Sequence, residues 1–261
     1  MRSMSIAATG MLAQQQMVDV ISNNIANMNT TAFKRQRPEF QDLLYQSLRR
    51  VGAASSDAGT IVPSGVQVGL GVKTGSVYRI TEQGSFVKTD NQLDVAIQGR
   101  GYFKILLPNG DEAFTRAGAF QMSPEGTVIT IDGYQVQPGI TIPAESTSIS
   151  INATGEIIVK LDGQVDPQVV GQLELSNFAN DAGLEQIGDN LLLQTPSSGQ
   201  PISGTPGSTG FGTVTQGFLE ASNVNAVAEV TALITAQRAY EMNSKVITTS
   251  DEMLAAITQL R

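Results

Sequence analysis

The two ends of the chain are apolar at helical spacing and almost free of charge, while the stretch between them is patterned as β-structure. In residues 3–33 the only charged side chain is Asp19. In residues 223–260 the apolar periodicity returns with thinly spread charges. A surface helix normally carries charge on the face turned away from the core. Ends of this kind are suited to being covered, by each other or by copies of the same chain.

At the N-terminal end, Ala7, Met11, Gln14, Val18, Ile21, Ile25 and Met28 recur at alternating steps of four and three. That is a heptad seam with one polar position, Gln14. The opposite face, with Ser5, Gln15, Gln16, Asp19, Ser22 and Asn23, carries one charge and is rich in amides. Such a face fits protein contacts that exclude charge, so the helix is expected to be touched on more than one side. Gly10 costs about 1 kcal/mol relative to Ala in a helix and offers a point of close approach. Asn23, Asn24, Asn27 and Asn29 weaken the helix and mark its end. Arg2 and the apolar residues after it resemble a leader peptide only faintly, because Ser5, Thr9, Gly10 and three glutamines from Gln14 interrupt the run. An amphipathic helix is expected there instead. After Pro38, residues 39–50 predict a short helix with Phe40, Leu43, Leu44 and Leu48 on one side.

The C-terminal helix is expected to start at an N-cap on Ser222 or Asn223. Val230, Leu233, Tyr240, Ile247 and Leu254 form its stripe, widened by Met242, Val246, Met253 and Ile257. If the inserted domain's entry and exit lie close together, the two terminal helices run antiparallel.

The middle is rich in Gly, Val, Ile and Thr. Asn109-Gly110, Asp132-Gly133 and Asp162-Gly163 read as hairpin turns. Strands are predicted over 93–97, 102–107, 127–131, 157–161, 169–175 and 190–194, as in an antiparallel sandwich or barrel. Residues 197–212 are Gly-, Ser-, Pro- and Thr-rich and read as a linker. The fold class is therefore α+β: a discontinuous antiparallel terminal helical module with an inserted, mainly antiparallel all-β domain. The module takes residues 1–33 and 222–261. A connecting region with a short helix and extended segments takes 34–71 and 200–221. The β-rich outer domain takes 72–199 and is expected to stay folded as a fragment of residues 72–200.

Composition narrows the function. A net charge of −8 and an isoelectric point near 4.6 disfavour nucleic acid, which requires a basic face. No apolar run approaches the ~20 residues of a membrane span, so no membrane insertion is expected. The chain has no Cys, His or Trp, which excludes thiol chemistry and a histidine base. Asp90 with Asp94, or Asp111 with Glu112, remain as carboxylate pairs of the kind glycosidases use. The second pair follows the turn at Asn109-Gly110 and reads as a solvated hairpin tip. Gly99-Arg100-Gly101 and Gly69-Leu70-Gly71 lack the third glycine and the helix of a dinucleotide loop. No enzyme, cofactor or metal site is expected. A secreted β-module or adhesin accounts for the middle but not for the paired ends.

Several motifs carry a resemblance. Ile21-Ser22-Asn23-Asn24-Ile25-Ala26-Asn27 followed by Thr30-Thr31-Ala32-Phe33-Lys34 is similar to the N-terminal signature of the bacterial flagellar rod and hook family. Glu220-Ala221-Ser222-Asn223-Val224-Asn225, then Gln237-Arg238-Ala239-Tyr240-Glu241 and Lys245, resembles its C-terminal signature. The run from Asp94 to Phe103 and Phe114-Thr115-Arg116-Ala117-Gly118 resemble internal motifs of the same family. Residues 40–52, with Tyr45-Gln46-Ser47-Leu48-Arg49-Arg50, and 63–69, from Pro63 to Gly69, resemble the distal-rod branch, with proximal rod or hook subunits as the alternative. One departure is Ala32, where the family often has Gly; an Ala there argues against a left-handed turn.

The resemblance implies a structural subunit that polymerises helically into the distal rod and transmits torque from motor to hook. Implied partners are copies of itself, proximal rod proteins, hook protein, the peptidoglycan-layer and outer-membrane ring proteins, and the flagellar type III export apparatus. The implied location is the basal body, spanning the periplasm, reached without a cleaved signal. The subunit interface is expected to use Met11, Gln14, Val18, Ile21, Asn23, Asn24, Ile25, Asn27, Phe33, Asn223, Asn225, Val230, Leu233, Gln237, Arg238, Tyr240, Ile247 and Leu254. A segment with Tyr45, Gln46, Arg49, Arg50 and Pro63 is expected to stiffen the rod.

Overall fold

The computed structural model describes residues 2–49, 64–163 and 166–259. The chain divides into two compact units. One comprises Met1–Ala26, Gln36–Ile80 and Asn225–Arg261; the other comprises Asn27–Arg35 and Thr81–Val224.

Among the described residues the first unit holds two helices, α1 (Arg2–Ala26) and α2 (Ala226–Gln259), and four strands, β1 (Gln36–Asp42), β2 (Tyr45–Arg49), β3 (Val66–Gly69) and β4 (Val72–Arg79). The helices pair antiparallel, as the sequence predicts. Ser250 Oγ donates to Ser3 Oγ at 3.1 Å. A Cβ on Gly10 would stand 2.9 Å from Asn243 Nδ2. Asn24 Nδ2 donates to Glu229 Oε2 at 3.2 Å. These three contacts share one register, which also sets Met17 opposite Ala236. The seam therefore runs through Ser3, Gly10, Met17 and Asn24 on α1, and Glu229, Ala236, Asn243 and Ser250 on α2. Small and polar residues occupy its centre, with Asn24, Glu229, Ala236 and Ser250 buried. Polar pairs at a helical seam fix register at some expense of stability. The large apolar side chains flank this line.

Of the amide face of α1 only Gln16 is partly covered, while Ser5, Gln15, Asp19, Ser22 and Asn23 are exposed. Thr74 Oγ1 donates to Gln16 Oε1, and the Val72 amide donates to Thr9 Oγ1 at 3.3 Å. The helix is thus held by α2 on one side and by β1 and β4 on another.

The short helix expected over residues 39–50 is replaced by strands. β1 pairs antiparallel with β4 from Gln36↔Arg79 to Asp42↔Val72, and β2 with β3 from Tyr45↔Gly69 to Arg49↔Val66. Leu43 N donates to Gly71 O and Leu70 N to Leu44 O, joining the pairs into one ribbon. Burial alternates residue by residue over Gln36–Phe40, the period of a strand. Leu44 and Leu48, which a helix would have set beside Phe40, are exposed. The partner residues lie 17 to 43 positions onward, beyond any local window. The N-cap of α2 also differs from expectation: Asn225 Oδ1 accepts the Ala228 amide at 3.1 Å, and Ser222 and Asn223 lie outside the helix.

The second unit is built of antiparallel strands. Its largest sheet runs Glu185–Gly188, Leu191–Leu193, Glu112–Thr115, Tyr102–Leu106, Gln135–Val136, Val128–Ile129, Gln121–Met122; Leu175–Asn177 joins Tyr102–Leu106 and carries Ile202–Gly204. Ser146–Ile151, Glu156–Leu161 and Gln168–Gln172 form a three-stranded sheet. Thr213–Gln216 pairs with Val95–Gln98, and Phe218–Glu220 with Phe86–Lys88. Val95, Ile97, Phe103, Ile105, Phe120, Ile157 and Val214 meet in the core. Each predicted strand overlaps an observed one, and the prediction over 169–175 runs from Gln168–Gln172 into Leu175–Asn177. The turn glycines Gly110, Gly133 and Gly163 have φ of +88°, +85° and +78°, the left-handed conformation glycine adopts without steric cost.

Residues 197–212 are folded, contrary to the expected linker. Ser198 is fully buried, Ile202–Gly204 is a strand, and Phe211 packs on the core. A Cβ on Gly212 would stand 2.4 Å from Gln98 O, and one on Gly204 2.5 Å from the Phe211 ring. The small residues serve close backbone approach, which composition alone does not distinguish from flexibility.

Candidate assembly site

The N-terminal, internal and C-terminal signatures converge on one carboxylate. Glu220 is buried. Lys34 Nζ donates to its Oε1 at 2.5 Å and Arg116 Nε to its Oε2 at 2.6 Å. The Gly84 amide adds a third bond at 2.9 Å. Arg116 also donates to the carbonyls of Gly99 at 2.6 Å, Gly101 at 3.2 Å and Ile97 at 3.4 Å. Burial draws the Lys34 ammonium below its ordinary value, although Glu220 opposes the shift. Burial works against the Glu220 carboxylate too, but Arg116 and Lys34 outweigh it and hold the carboxyl below its ordinary value. Breaking such a buried pair leaves an uncompensated charge and costs about 3–5 kcal/mol.

The same junction places Ala32. Its φ is +58°, so the left-handed turn that an Ala argues against does form here. The Ala32 amide donates to Glu220 O at 2.8 Å, which holds the strained residue in place. Asn223 Oδ1 accepts the Arg35 amide at 2.7 Å and its Nδ2 donates to Glu82 O at 3.0 Å. Asn27 O and Oδ1 accept from Thr30 N and Oγ1. Phe33 is half-buried, and its carbonyl accepts from the Asn223 amide.

The sequence-predicted interface residues distribute over three environments. Ile21 and Asn24 are buried within the chain. Met11, Gln14, Val18, Ile25, Leu233, Ile247 and Leu254 are half-buried along the flanks of the helix pair. Asn23, Asn225, Val230, Gln237, Arg238 and Tyr240 are exposed. Around them α2 leaves Val227, Ile234, Met242, Val246, Met253 and Ile257 exposed as well. The helix register sets the start of α1 opposite residue 251, so the last eight described residues of α2, with Met253, Leu254 and Ile257, run past it. On the ribbon, Tyr45, Gln46 and Arg49 are exposed, as are Leu44, Leu48 and Val66. Arg50 and Pro63 lie outside the described residues.

Of the carboxylates weighed for catalysis, Asp90 is exposed and the other three are engaged in turns or an ion pair. Asp94 is buried and its Oδ1 accepts from Asn91 at 2.9 Å. Asp111 and Asn109 bond each other across the hairpin tip, and Glu112 pairs with Lys104 at 2.5 Å. Among the described residues no helix is long and apolar enough to cross a membrane.

Sequence reasoning missed the roles of the polar seam and of Glu220. The heptad spacing of Glu229, Ala236, Asn243 and Ser250 was available as a signal, but an apolar-periodicity search passes over it.

The chain matches three family models: a flagella basal body rod protein model over residues 4–34, a flagellar hook protein FlgE/F/G D1 domain over 96–159, and a flagellar basal body rod FlgEFG C-terminal model over 215–260. It is 62% identical to a flagellar basal-body rod protein FlgG of Caulobacter vibrioides, with all of both chains covered. It is 51% identical to the protein of that name from Agrobacterium fabrum over 99% of each chain. For that of Bacillus subtilis the identity is 39%, over 100% of this chain and 99% of the relative. With full-length relatives this similar, the chain belongs to the flagellar basal-body rod protein family.

Proposed function

We propose that the chain polymerises helically with copies of itself into the distal rod and acts there as a drive shaft carrying torque from motor to hook. The observation that supports this most is the apolar row on α2. Val227, Val230, Ile234, Met242, Val246, Met253 and Ile257 are exposed in the single chain, although α2 already has its seam with α1. Apolar surface of that extent marks an interaction site. A contact between different faces of identical subunits that does not close gives an open helical polymer.

In this reading the proximal rod proteins lie below, the hook protein above, and the peptidoglycan-layer and outer-membrane rings around the shaft. The chain reaches the periplasm through the flagellar type III apparatus. The exposed ribbon bearing Tyr45, Gln46 and Arg49 bridges neighbouring copies and stiffens the shaft. The role is structural, with no reaction assigned.

Sedimentation and electron microscopy of the purified chain test the proposal. Straight polymers are expected from the wild type. Met242→Asp with Val246→Asp is expected to abolish them while the second unit keeps its hydrogen-exchange protection. A wild type that stays monomeric at high concentration, or a double variant that polymerises as well as wild type, overturns the reading.

A further inference from the structure

The loop Gly99-Arg100-Gly101 is held at four backbone groups by three other parts of the second unit. The Gly99 amide donates to Gln83 Oε1 at 3.1 Å. The carbonyls of Gly99 and Gly101 accept from the Arg116 guanidinium at 2.6 and 3.2 Å. The Arg100 carbonyl accepts the Gly212 amide at 2.7 Å. Both glycines have positive φ, +106° and +144°, and a Cβ on Gly99 would stand 3.0 Å from Gly212 Cα. Arg116, which grips the loop, is itself fixed by Glu220.

The side chain at the tip of this rigid loop is treated differently. The Arg100 side chain is 66% exposed. Its contacts are the Phe178 carbonyl at 3.4 Å and Asp181 Oδ2 at 3.5 Å, beyond the usual hydrogen-bond range. An exposed pair of that length contributes little to stability. Arg100 lines a cavity of about 400 Å³ together with Lys34, Arg116 and Asp181. An arginine on a fixed loop has its backbone already ordered, so binding costs the freedom of its side chain alone, and the cavity's lining holds three cations against one carboxylate. Its planar fork matches a carboxylate through two parallel bonds.

We propose that Arg100 and this cavity receive a carboxylate side chain from a second copy of the chain. The proposal rests on the self-assembly reading above. It also follows from charge: each copy carries 24 acidic and 16 basic residues, a net −8. Two such copies repel unless cations of one meet acids of the other at the contact. A firmly presented, weakly engaged arginine in an acidic chain is a site where that can happen.

The test uses full-length Arg100→Ala, Arg100→Glu and Arg100→Lys. All three are expected to melt as the wild type does. The critical concentration for sedimentation is expected to rise about tenfold for Arg100→Ala, the scale of one charge-assisted hydrogen-bonded contact, and further for Arg100→Glu. Arg100→Lys is expected to fall between wild type and Ala, because an ammonium cannot make the paired bonds. Assembly of all three at the wild-type critical concentration overturns the proposal while leaving self-assembly intact. A marked loss of melting temperature in Arg100→Ala assigns the residue to internal stability and overturns it too. Failure of the wild type to polymerise overturns the underlying reading, and this proposal with it.

Discussion

Asn24 binds both backbone groups of Gln36: its Nδ2 donates to the Gln36 carbonyl at 2.9 Å, and its Oδ1 accepts the Gln36 amide at 2.9 Å. A side-chain amide here does what a neighbouring strand would do for the first residue of β1. The same Nδ2 reaches Glu229 across the helix seam, so one buried residue ties α1 to β1 and to α2. Asn24→Leu removes every partner, and Asn24→Asp removes the donor and adds a second carboxylate. Either change is expected to cost about 2–4 kcal/mol, the scale of one or two unsatisfied buried groups. Hydrogen exchange should show lost protection in β1 and the first turns of α2, with protection of the second unit unchanged.

The Arg116–Glu220 pair gives a second prediction, in pH as well as in sequence. Glu220→Gln leaves two buried cations without their carboxylate and is expected to lower stability by about 3–5 kcal/mol. Glu220→Leu with Arg116→Met is expected to recover part of that loss, because the uncompensated guanidinium is gone as well. The Glu220 carboxyl lies below its ordinary 4.5 in the fold. Its contribution is therefore complete above pH 4.5 and is lost as pH falls through the lower folded value. Lys34 acts in the opposite sense. Its folded value lies below 10.5, so its burial disfavours the fold at neutral pH, and that penalty fades as pH rises toward 10.5. Thermal melts from pH 7 to pH 3 should fall less steeply for Glu220→Gln than for the wild type.

The parts of the fold that depend on neighbours in sequence were legible. Asn109-Gly110, Asp132-Gly133 and Asp162-Gly163 announce hairpins because few other residues accept positive φ. The two terminal helices follow from apolar recurrence. What escaped depends on distant partners. Residues 39–50 carry leucines at helical spacing, yet strands 17 to 37 residues onward decide their conformation. Gly204 and Gly212 look flexible until the Phe211 ring and the Gln98 carbonyl are placed against them. Lys34, Arg116 and Glu220 were all quoted within motifs, but nothing in the motifs says that they meet. The helix seam was sought among large apolar residues, whereas its centre is small and polar.

Gly10 tests that seam. A Cβ at this position meets the end of the Asn243 side chain, which can swing aside. Gly10→Ala also gains about 1 kcal/mol of helix propensity, so it is expected to be neutral or slightly stabilising. Gly10→Leu has no such escape and is expected to cost about 1–3 kcal/mol through overpacking. Asn243→Ala in the Leu background should restore part of the loss, which a double-mutant cycle on melting temperature measures.

Ala32 tests the strained turn. A left-handed non-glycine residue costs roughly 1–2 kcal/mol. Ala32→Gly removes that strain but adds about 0.4–1 kcal/mol of unfolded-state entropy. The net expectation is a stability within about 1 kcal/mol of wild type and no lower. A chemical-denaturation midpoint clearly below wild type would show that the Ala32 methyl group, buried here, contributes more packing than the turn costs.

The limits of the β domain provide the last test. A fragment of residues 72–200 holds every predicted strand, yet it ends before Thr213–Gln216, the partner of Val95–Gln98. It also lacks Val214, which is 2% exposed among Val95 and Ile97. Without Glu220 and Lys34, Arg116 keeps its carbonyl partners but has no carboxylate. That fragment is expected to show no cooperative melting transition. Residues 27–224 include the final strands and the segment Asn27–Arg35 that folds with them, and they are expected to melt cooperatively. Residues 36–224 should melt cooperatively but at a lower temperature than 27–224, because the Ala32 bond to Glu220 O is missing. If 72–200 melts as sharply and as high as 27–224, the late strands and the Glu220 cluster are not needed to close the domain.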